Sequence, residues 1–201
     1  MNQKTNLVAI GLRAKTARAI AVVVGGPSDS PIVLRKFEIT LADPKVPATA
    51  QPYHEVMDLP WAESQKAVGK TARAIETIAQ KALALLIMEL QSTGVTVSGV
   101  GIVGAKDKDL ARIGNFHIRA HAAEGVLFRR VLDLAADANG LKKRTFPDRD
   151  FEEVTKIELG AQSATLKRKL NELGRTLSPP WRTDEKQAAT AAWLVLHGHR
   201  K

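Results

Sequence analysis

Residues 7–24 read LVAIGLRAKTARAIAVVV, which is an apolar run, a glycine, a short polar stretch and a second apolar run. Short runs of aliphatic residues on either side of a polar break are typical of two β-strands joined by a tight turn. We therefore predict strands over 7–12 and 17–24, with Arg13 and Lys15 at the turn between them. This turn places positive charge at one end of the first two strands.

The rest of the chain alternates helical and strand-like patterns. Gly25-Gly26-Pro27 predicts a turn before a third strand over 32–41. The stretch 42–63 contains four prolines, so we predict an irregular surface connection there. The later predicted elements are a helix over 64–92, a strand over 95–103, a helix over 112–138 and a short strand over 142–146. Two further helices are predicted, one within 160–173 that begins near Ser163 and one over 183–197 with Thr183 or Asp184 as its N-cap. The order indicates one α/β domain over 1–201.

Composition limits the classes of function. The chain has 201 residues, no cysteine and a formal charge of +9, from 30 Lys and Arg against 21 Asp and Glu. The absence of cysteine excludes disulfides and cysteine-ligated metal sites. No apolar run approaches the length of a membrane span, so we expect a cytoplasmic protein without a membrane partner. The excess of positive charge favours a polyanionic partner such as nucleic acid.

Two histidines are possible metal ligands. His117 and His121 lie four residues apart on one predicted helix face, which is the spacing of a metal-binding pair. The sequence reveals no third ligand for them, so we interpret the pair as part of a solvated polar face. The loop over 42–63 carries His54 and Trp61 and is either a functional loop or a packed cover; a single histidine favours the cover.

The order of elements is that of the RNase H-like fold, and three segments resemble the RuvC family of Holliday-junction resolvases within it. They are GVGIVGAKDKDLARIGNFHIRAHAAEGVLFRRVL over 99–132, LGAQSATLKRKLNELGRTL over 159–177 and RTDEKQAATAAWLVLHGHRK over 182–201. The resemblance implies a mixed five-stranded sheet, with three antiparallel strands followed by parallel ones, flanked by helices. It also implies carboxylates from the first strand, the fourth strand and the last helix that hold Mg²⁺ for phosphodiester cleavage.

The departures from the family pattern concern those carboxylates. Arg13 and Val103 stand where the resemblance implies acids in the first and fourth strands, and Gln187 stands where it implies the last acid. Asp184 is the acid that remains, with Glu185 one residue on. A single carboxylate beside an arginine would hold a divalent cation poorly. We therefore predict a remnant site without metal, in which Arg13 either pairs with Asp184 and attracts phosphate or points to solvent from a turn.

Two alternatives stay open. The first is an active Mg²⁺-dependent endonuclease that recruits Asp107 or Asp109 beside Asp184 and Glu185, and only this alternative requires a cofactor. The second is a protein-interaction scaffold with no role in nucleic-acid binding.

The favoured prediction is a catalytically impaired protein that binds the phosphate backbone of structured DNA or RNA. The basic segments should surround one end of the sheet, and the helix over 112–138 is the dimerisation element that the resemblance implies. The residues predicted to contact nucleic acid are Arg13, Lys15, Lys106, Lys108, Arg112, Phe116, Arg119, Lys142, Lys143, Arg144, Lys167, Arg168, Lys169, Arg182 and Lys186.

Overall fold

The computed structural model describes residues 6–27, 30–175 and 177–199. One five-stranded sheet has the order β3-β2-β1-β4-β5. β1, β2 and β3 are antiparallel neighbours, while β4 and β5 run parallel to β1. The strands are β1 (Asn6–Lys15), β2 (Arg18–Gly25), β3 (Ile32–Thr40), β4 (Val95–Gly104) and β5 (Lys143–Pro147). This mixed sheet with flanking helices confirms the predicted RNase H-like α/β fold.

Helices cover both faces of the sheet. They are α1 (Trp61–Ser92), α2 (Phe116–Ala138), α3 (Phe151–Leu159), α4 (Ser163–Gly174) and α5 (Thr183–His199). Ile10 and Leu12 of β1 pack in the core that α1 and α2 complete, whereas Ala9 packs with α4 and α5. This division follows from the alternation of side chains along a strand. Within the described ranges no helix is long and apolar enough to cross a membrane.

α5 lies unusually close to the centre of the sheet. A Cβ placed on Gly11 would lie 1.7 Å from the carbonyl oxygen of Ala188, and one on Gly101 would lie 2.5 Å from that of Ala191. Glycines on the strands and alanines on the helix are therefore what allows this approach. The contact fixes the N-terminal end of α5 over the carboxyl end of β1.

The first hairpin differs from its prediction. β1 continues to Lys15, so Arg13 lies inside the strand and pairs in register with Val103 of β4. The turn is reduced to Thr16 and Ala17, and Ala17 adopts a φ of 63°. The polar residues Arg13 and Lys15, which suggested a turn, instead belong to the end of β1.

The region between β5 and α5 also differs. α3 is not predicted from the sequence, whereas the helix predicted to begin near Ser163 is α4, which a 3₁₀ turn over 160–162 precedes. Neither Thr183 nor Asp184 is the N-cap of α5: the helix begins at Thr183, and the Glu185 carboxylate accepts the backbone N–H of Arg182 at 2.7 Å. An acid three residues after the cap can satisfy the cap's own N–H in this way.

The connection over 42–63 is packed rather than extended. It contains a 3₁₀ turn at Pro47–Thr49, and α1 starts at Trp61 rather than at residue 64. Tyr53 stacks on Trp61 with ring centroids 5.5 Å apart, and burial raises the pKa of the Tyr53 hydroxyl. The next residue, His54, contacts Glu124 of α2, so the loop is attached to that helix.

Candidate nucleic-acid interface

Arg13 lies at the carboxyl end of the sheet among main-chain and side-chain oxygens. Its Nη1 is 3.4 Å from the carbonyl oxygen of Val103, and its Nη2 is 3.5 Å from Oδ2 of Asp148. Its Nε is 3.4 Å from Oδ1 of Asp184 but makes no hydrogen bond there. Nη1 thus donates a long hydrogen bond to Val103, and the two carboxylates add Coulomb attraction at distances beyond the usual 2.7–2.9 Å of a charge-assisted hydrogen bond.

Lys15 reinforces the positive charge on the same face of β1. Residues two apart on a strand point the same way, and both Arg13 and Lys15 reach Asp184. The Lys15 Nζ lies 3.2 Å from Oδ2 and 3.4 Å from Oδ1 of that carboxylate. One acid thus faces two cations. The side chains of Lys15 and Asp184 are about one-third exposed, at 35% and 33%, so this pair is accessible to a ligand.

Asp148 is an acid of this cluster that the sequence did not reveal. It follows the last residue of β5, and its N–H donates to the carbonyl oxygen of Gly104 at 3.0 Å. The parallel pairing of β4 and β5 therefore fixes its position beside Arg13. The signal available beforehand was only that an acid stands two residues after the end of the predicted strand over 142–146.

The other two residues of the predicted remnant site, Glu185 and Gln187, form no ion pair or hydrogen bond with Arg13 in the described part of the chain. Glu185 is buried and caps α5, as described above, so it is not an acid of the cluster. Gln187 lines a cleft of about 560 Å³, together with Asp148, Thr183 and Lys186. The Gln187 Oε1 is buried without a hydrogen-bond partner in the described part of the chain. Asp148 of the cluster thus borders a cleft between α3, α4 and α5.

The acids proposed for an active nuclease lie elsewhere. Asp107 pairs with Arg129, which also bonds to Asp133 at 2.5 Å. Asp109 caps the 3₁₀ turn over 110–112 and pairs with Arg112 at 3.1 Å. The structure therefore does not bring Asp107 or Asp109 to Asp184.

The donor set at the carboxyl end does not fit the Mg²⁺ ion that the fold family implies. Mg²⁺ prefers octahedral oxygen ligands and is usually held by carboxylates. Here Asp148 and Asp184 face Arg13, and Asp184 also faces Lys15. A divalent cation would have to enter against two positive side chains, so no cleavage step is derived through it.

The basic residues do not all surround this end of the sheet. In the strand register, Lys143 lies opposite Val100, four residues before the end of β4. At about 3.3 Å per residue, Lys143 is roughly 13 Å from that end of the strand. Lys142 precedes Lys143 and is further away. The expectation that these two lysines surround the carboxyl end is wrong, because β5 starts opposite the middle of β4.

Several of the other basic residues predicted to contact nucleic acid form ion pairs with acidic residues of the protein. Arg144 forms a two-point pair with Glu158, Arg168 pairs with Glu172, and Lys106 lies 3.9 Å from Asp150. Lys186 donates to Asn171, and Lys169 lies over the Trp193 ring. The Lys167 side chain lies outside what the structure describes. Lys108, four residues after the end of β4, and Arg182, directly before α5, are exposed.

Phe116 and Arg119 form a local cluster at the start of α2. Phe116 is 53% exposed, and the Arg119 guanidinium lies 4.9 Å from its ring centroid. Arg119 is otherwise buried and also contacts Trp61. Phe116 is thus accessible for stacking on a nucleic-acid base. Arg119 contacts both Trp61, at the start of α1, and Phe116, at the start of α2.

His117 and His121 are exposed, as a solvated face requires, but the structure brings a third histidine to them that the sequence did not reveal. The two side chains lie on one face of α2, and His54 from the loop completes a group whose ligand atoms all lie within 4.8 Å of one another. The loop is distant in sequence from α2, so only the tertiary structure unites the three.

Known proteins were compared with the chain by sequence and by structure. No family model matches the chain, and no curated protein sequence does. Two solved structures that are similar to it are a Thermus thermophilus RuvC structure and T. thermophilus RuvC in complex with a Holliday junction substrate. In each case the identity is 13%, the similarity covers 96% of this chain and 95% of that chain, and the TM-score is 0.49. This degree of similarity supports no statement about function, which has to be argued from the residues of the chain.

Proposed function

We propose that this protein binds the phosphate backbone of structured nucleic acid at the carboxyl end of its sheet and does not cleave it. The observation that carries the proposal is that Arg13 and Lys15 both project from β1 at this end, against one partly exposed acid. A phosphate oxygen can compete with Asp184 for these cations, because both contacts are long and the Lys15 and Asp184 side chains are about one-third exposed.

The overall charge supports the same partner. A net charge of +9 attracts a polyanion and steers its approach. Lys108, in the loop after β4, and Arg182, directly before α5, are exposed and add to the positive surface. Such contacts supply affinity without reading base sequence, so recognition would rest on the shape of the nucleic acid.

The catalytic impairment follows from charge. A metal-dependent nuclease needs carboxylates free to coordinate a cation that stabilises the attacking and leaving oxygens. In this chain Arg13 stands in the first strand where the resemblance implies an acid, and its guanidinium faces both nearby carboxylates. The active endonuclease is the second candidate, and the presence of Asp148 beside Asp184 is the observation in its favour.

The experiment is to incubate the full chain with four-way junctions, duplex DNA and structured RNA, with Mg²⁺, with Mn²⁺ and with chelator. We expect binding at low ionic strength and intact nucleic acid in every condition. Cleavage that Asp184→Asn abolishes would replace the proposal by the endonuclease. A lack of binding at low ionic strength would instead favour a scaffold that acts on proteins.

We also propose that the protein forms a homodimer through α2, as the family resemblance implies. Phe116 and Ile118 at the start of this helix are 53% and 58% exposed, which is high for large apolar side chains. Ile118→Asp should convert the dimer to a monomer in sedimentation velocity measurements. Ile157→Asp on α3, where the side chain is 73% exposed, is the control that should leave the dimer intact.

A further inference from the structure

Three histidine side chains from two distant segments meet beyond the carboxyl end of β4. The ring centroids of His54 lie 5.1 Å from His117 and 4.4 Å from His121, and those of His117 and His121 are 4.5 Å apart. The Nε2 atoms of His117 and His121 are 3.1 Å apart. The ligand atoms of all three lie within 4.8 Å of one another.

Glu124 orients the histidine from the loop. Its Oε1 lies 2.8 Å from Nδ1 of His54 and also accepts the His54 backbone N–H at 3.3 Å. A ring that donates from Nδ1 to this carboxylate carries its lone pair on Nε2. That Nε2 is buried and has no hydrogen-bond partner among the described residues. A carboxylate behind a histidine is the arrangement that fixes the tautomer of a metal ligand.

We propose that His54, His117 and His121 bind a divalent transition-metal ion of the Zn²⁺ class, with Glu124 as the residue that positions His54. Imidazole nitrogens suit Zn²⁺, Co²⁺, Ni²⁺ and Cu²⁺, whereas Mg²⁺ and Ca²⁺ prefer oxygen. Three protein ligands leave a fourth tetrahedral position for water or an exogenous ligand. This site is separate from the Arg13 cluster and does not depend on the nucleic-acid proposal.

The distances require only side-chain rotation to reach coordination geometry. Two bonds of about 2.0–2.1 Å to a tetrahedral ion put the ligand nitrogens about 3.4 Å apart. The Nε2 atoms of His117 and His121 are already 3.1 Å apart, and no two ligand atoms in the group are more than 4.8 Å apart. Both residues are exposed, so their rings can turn at little cost.

Charge also favours a cation at this place. Glu124 is fully buried, and its Oε2 has no hydrogen-bond partner in the part of the chain that the structure describes. A buried carboxylate is costly unless a positive group compensates it. A divalent ion one imidazole away supplies that compensation.

The test uses the untagged full chain, so that a histidine tag cannot bind metal. Co²⁺ is titrated and followed by its visible absorption, and Zn²⁺ affinity is measured against a competing chelator. We expect one ion per chain with the intense visible bands of tetrahedral Co²⁺, which Zn²⁺ displaces. Failure to bind either ion in competition with the chelator would overturn the proposal.

Variants separate this site from adventitious binding. His117→Gln and His121→Gln alter exposed side chains, so the fold should survive, and each should remove the Co²⁺ bands. Glu124→Gln should weaken Zn²⁺ binding by about 10–100-fold, the usual effect of removing a residue that orients a ligand. His197→Gln on α5 is the matched control and should bind as the unmodified chain does. Equal loss in the control, or unchanged binding in His121→Gln, would contradict the assignment.

A second readout follows the loop. Zn²⁺ would connect residue 54 to α2, so its binding should raise the midpoint of thermal unfolding and slow proteolysis within 42–63. Both effects should vanish in His54→Gln, whose folding is checked by circular dichroism. If Zn²⁺ still slowed proteolysis or raised the unfolding midpoint in that variant, the ion would act elsewhere and the proposed site would be wrong.

Discussion

Arg13 on β1 and Asp184 at the start of α5 form an ion pair at the carboxyl end of the sheet, with 3.4 Å between Nε and Oδ1. The Arg13 side chain is 13% exposed and the Asp184 side chain 33%, so the acid is the more accessible partner. The pair joins the first strand to the last helix, and a guanidinium thus faces the acid that the resemblance implies as a metal ligand. Our interpretation is that positive charge at this position attracts a phosphate group, as a metal ion would, without promoting its cleavage.

Replacing the cations by an acid should create divalent-cation binding. The variant Arg13→Asp with Lys15→Gln would place three carboxylates, at positions 13, 148 and 184, around the space that the guanidinium fills. We expect calorimetric titration with Mn²⁺ to detect binding in this variant, because carboxylate oxygens suit a hard cation. The matched control Arg13→Gln with Lys15→Gln should bind less. Equally tight Mn²⁺ binding by the unmodified chain would contradict the account.

Basic residues near the carboxyl end should matter more than those near the other end. Lys108→Gln with Arg182→Gln should weaken binding of a four-way junction and lower the slope of log affinity against log salt by about 2, if each contacts one phosphate. Lys142→Gln removes an exposed lysine at the start of β5 and is the control. A larger effect in the control, measured by fluorescence anisotropy, would mean that the binding surface is wrongly placed.

The close packing of α5 on β1 should tolerate no side chain at residue 11. In Gly11→Ala, the new methyl group would overlap the Ala188 carbonyl, so we expect a loss of about 3 kcal/mol in the free energy of unfolding, or failure to fold. Gly69→Ala in the middle of α1 has open space around it and should gain about 0.5–1 kcal/mol. Urea denaturation of both variants measures the difference. Equal stabilities would refute this packing argument.

The buried arginine of α2 gives a further prediction. Arg129 bonds to Asp133 at 2.5 Å, and the side chains are only 10% and 11% exposed. Asp133→Asn should reduce the free energy of unfolding by about 2–3 kcal/mol, since it removes one charge partner of a buried cation. Asp137→Asn, where the acid is 56% exposed and pairs with Lys143, should cost no more than about 0.5 kcal/mol. A reversed order in thermal or urea denaturation would contradict this ranking.

The fold followed from the sequence because its signals are periodic and local. Apolar runs and glycines marked the strands, and a helical spacing of apolar residues predicted α1. The spacing used was that of Ala67, Ala74, Ile78, Leu85, Leu86 and Leu90. The face that the structure buries includes Ile75 and Leu83 instead, while Leu85 is 60% exposed. The boundary errors occurred where the polarity changed within an element. β1 runs on through Arg13 to Lys15 because strand pairing, which a single sequence does not display, satisfies its backbone there.

The two clusters were harder to predict for a different reason. Asp148 reaches Arg13 only through the pairing of β4 with β5, and His54 reaches His121 only through the packing of a proline-containing loop on α2. Both relationships join residues far apart in the chain, where no spacing rule applies. The pair His117 and His121 was visible as a helical spacing, but its third ligand was not.

The central claim is that Arg13 and Lys15 contact phosphate, and the salt dependence of binding tests it most directly. The affinity of the unmodified chain and of Arg13→Gln with Lys15→Gln for a four-way junction is measured over a range of salt concentrations, with chelator and with Mg²⁺. We predict that the double variant binds more weakly, with a slope smaller by about 2, and that Mg²⁺ leads to no cleavage. An unchanged slope in the double variant, or Mg²⁺-dependent cleavage by the unmodified chain, would contradict the claim.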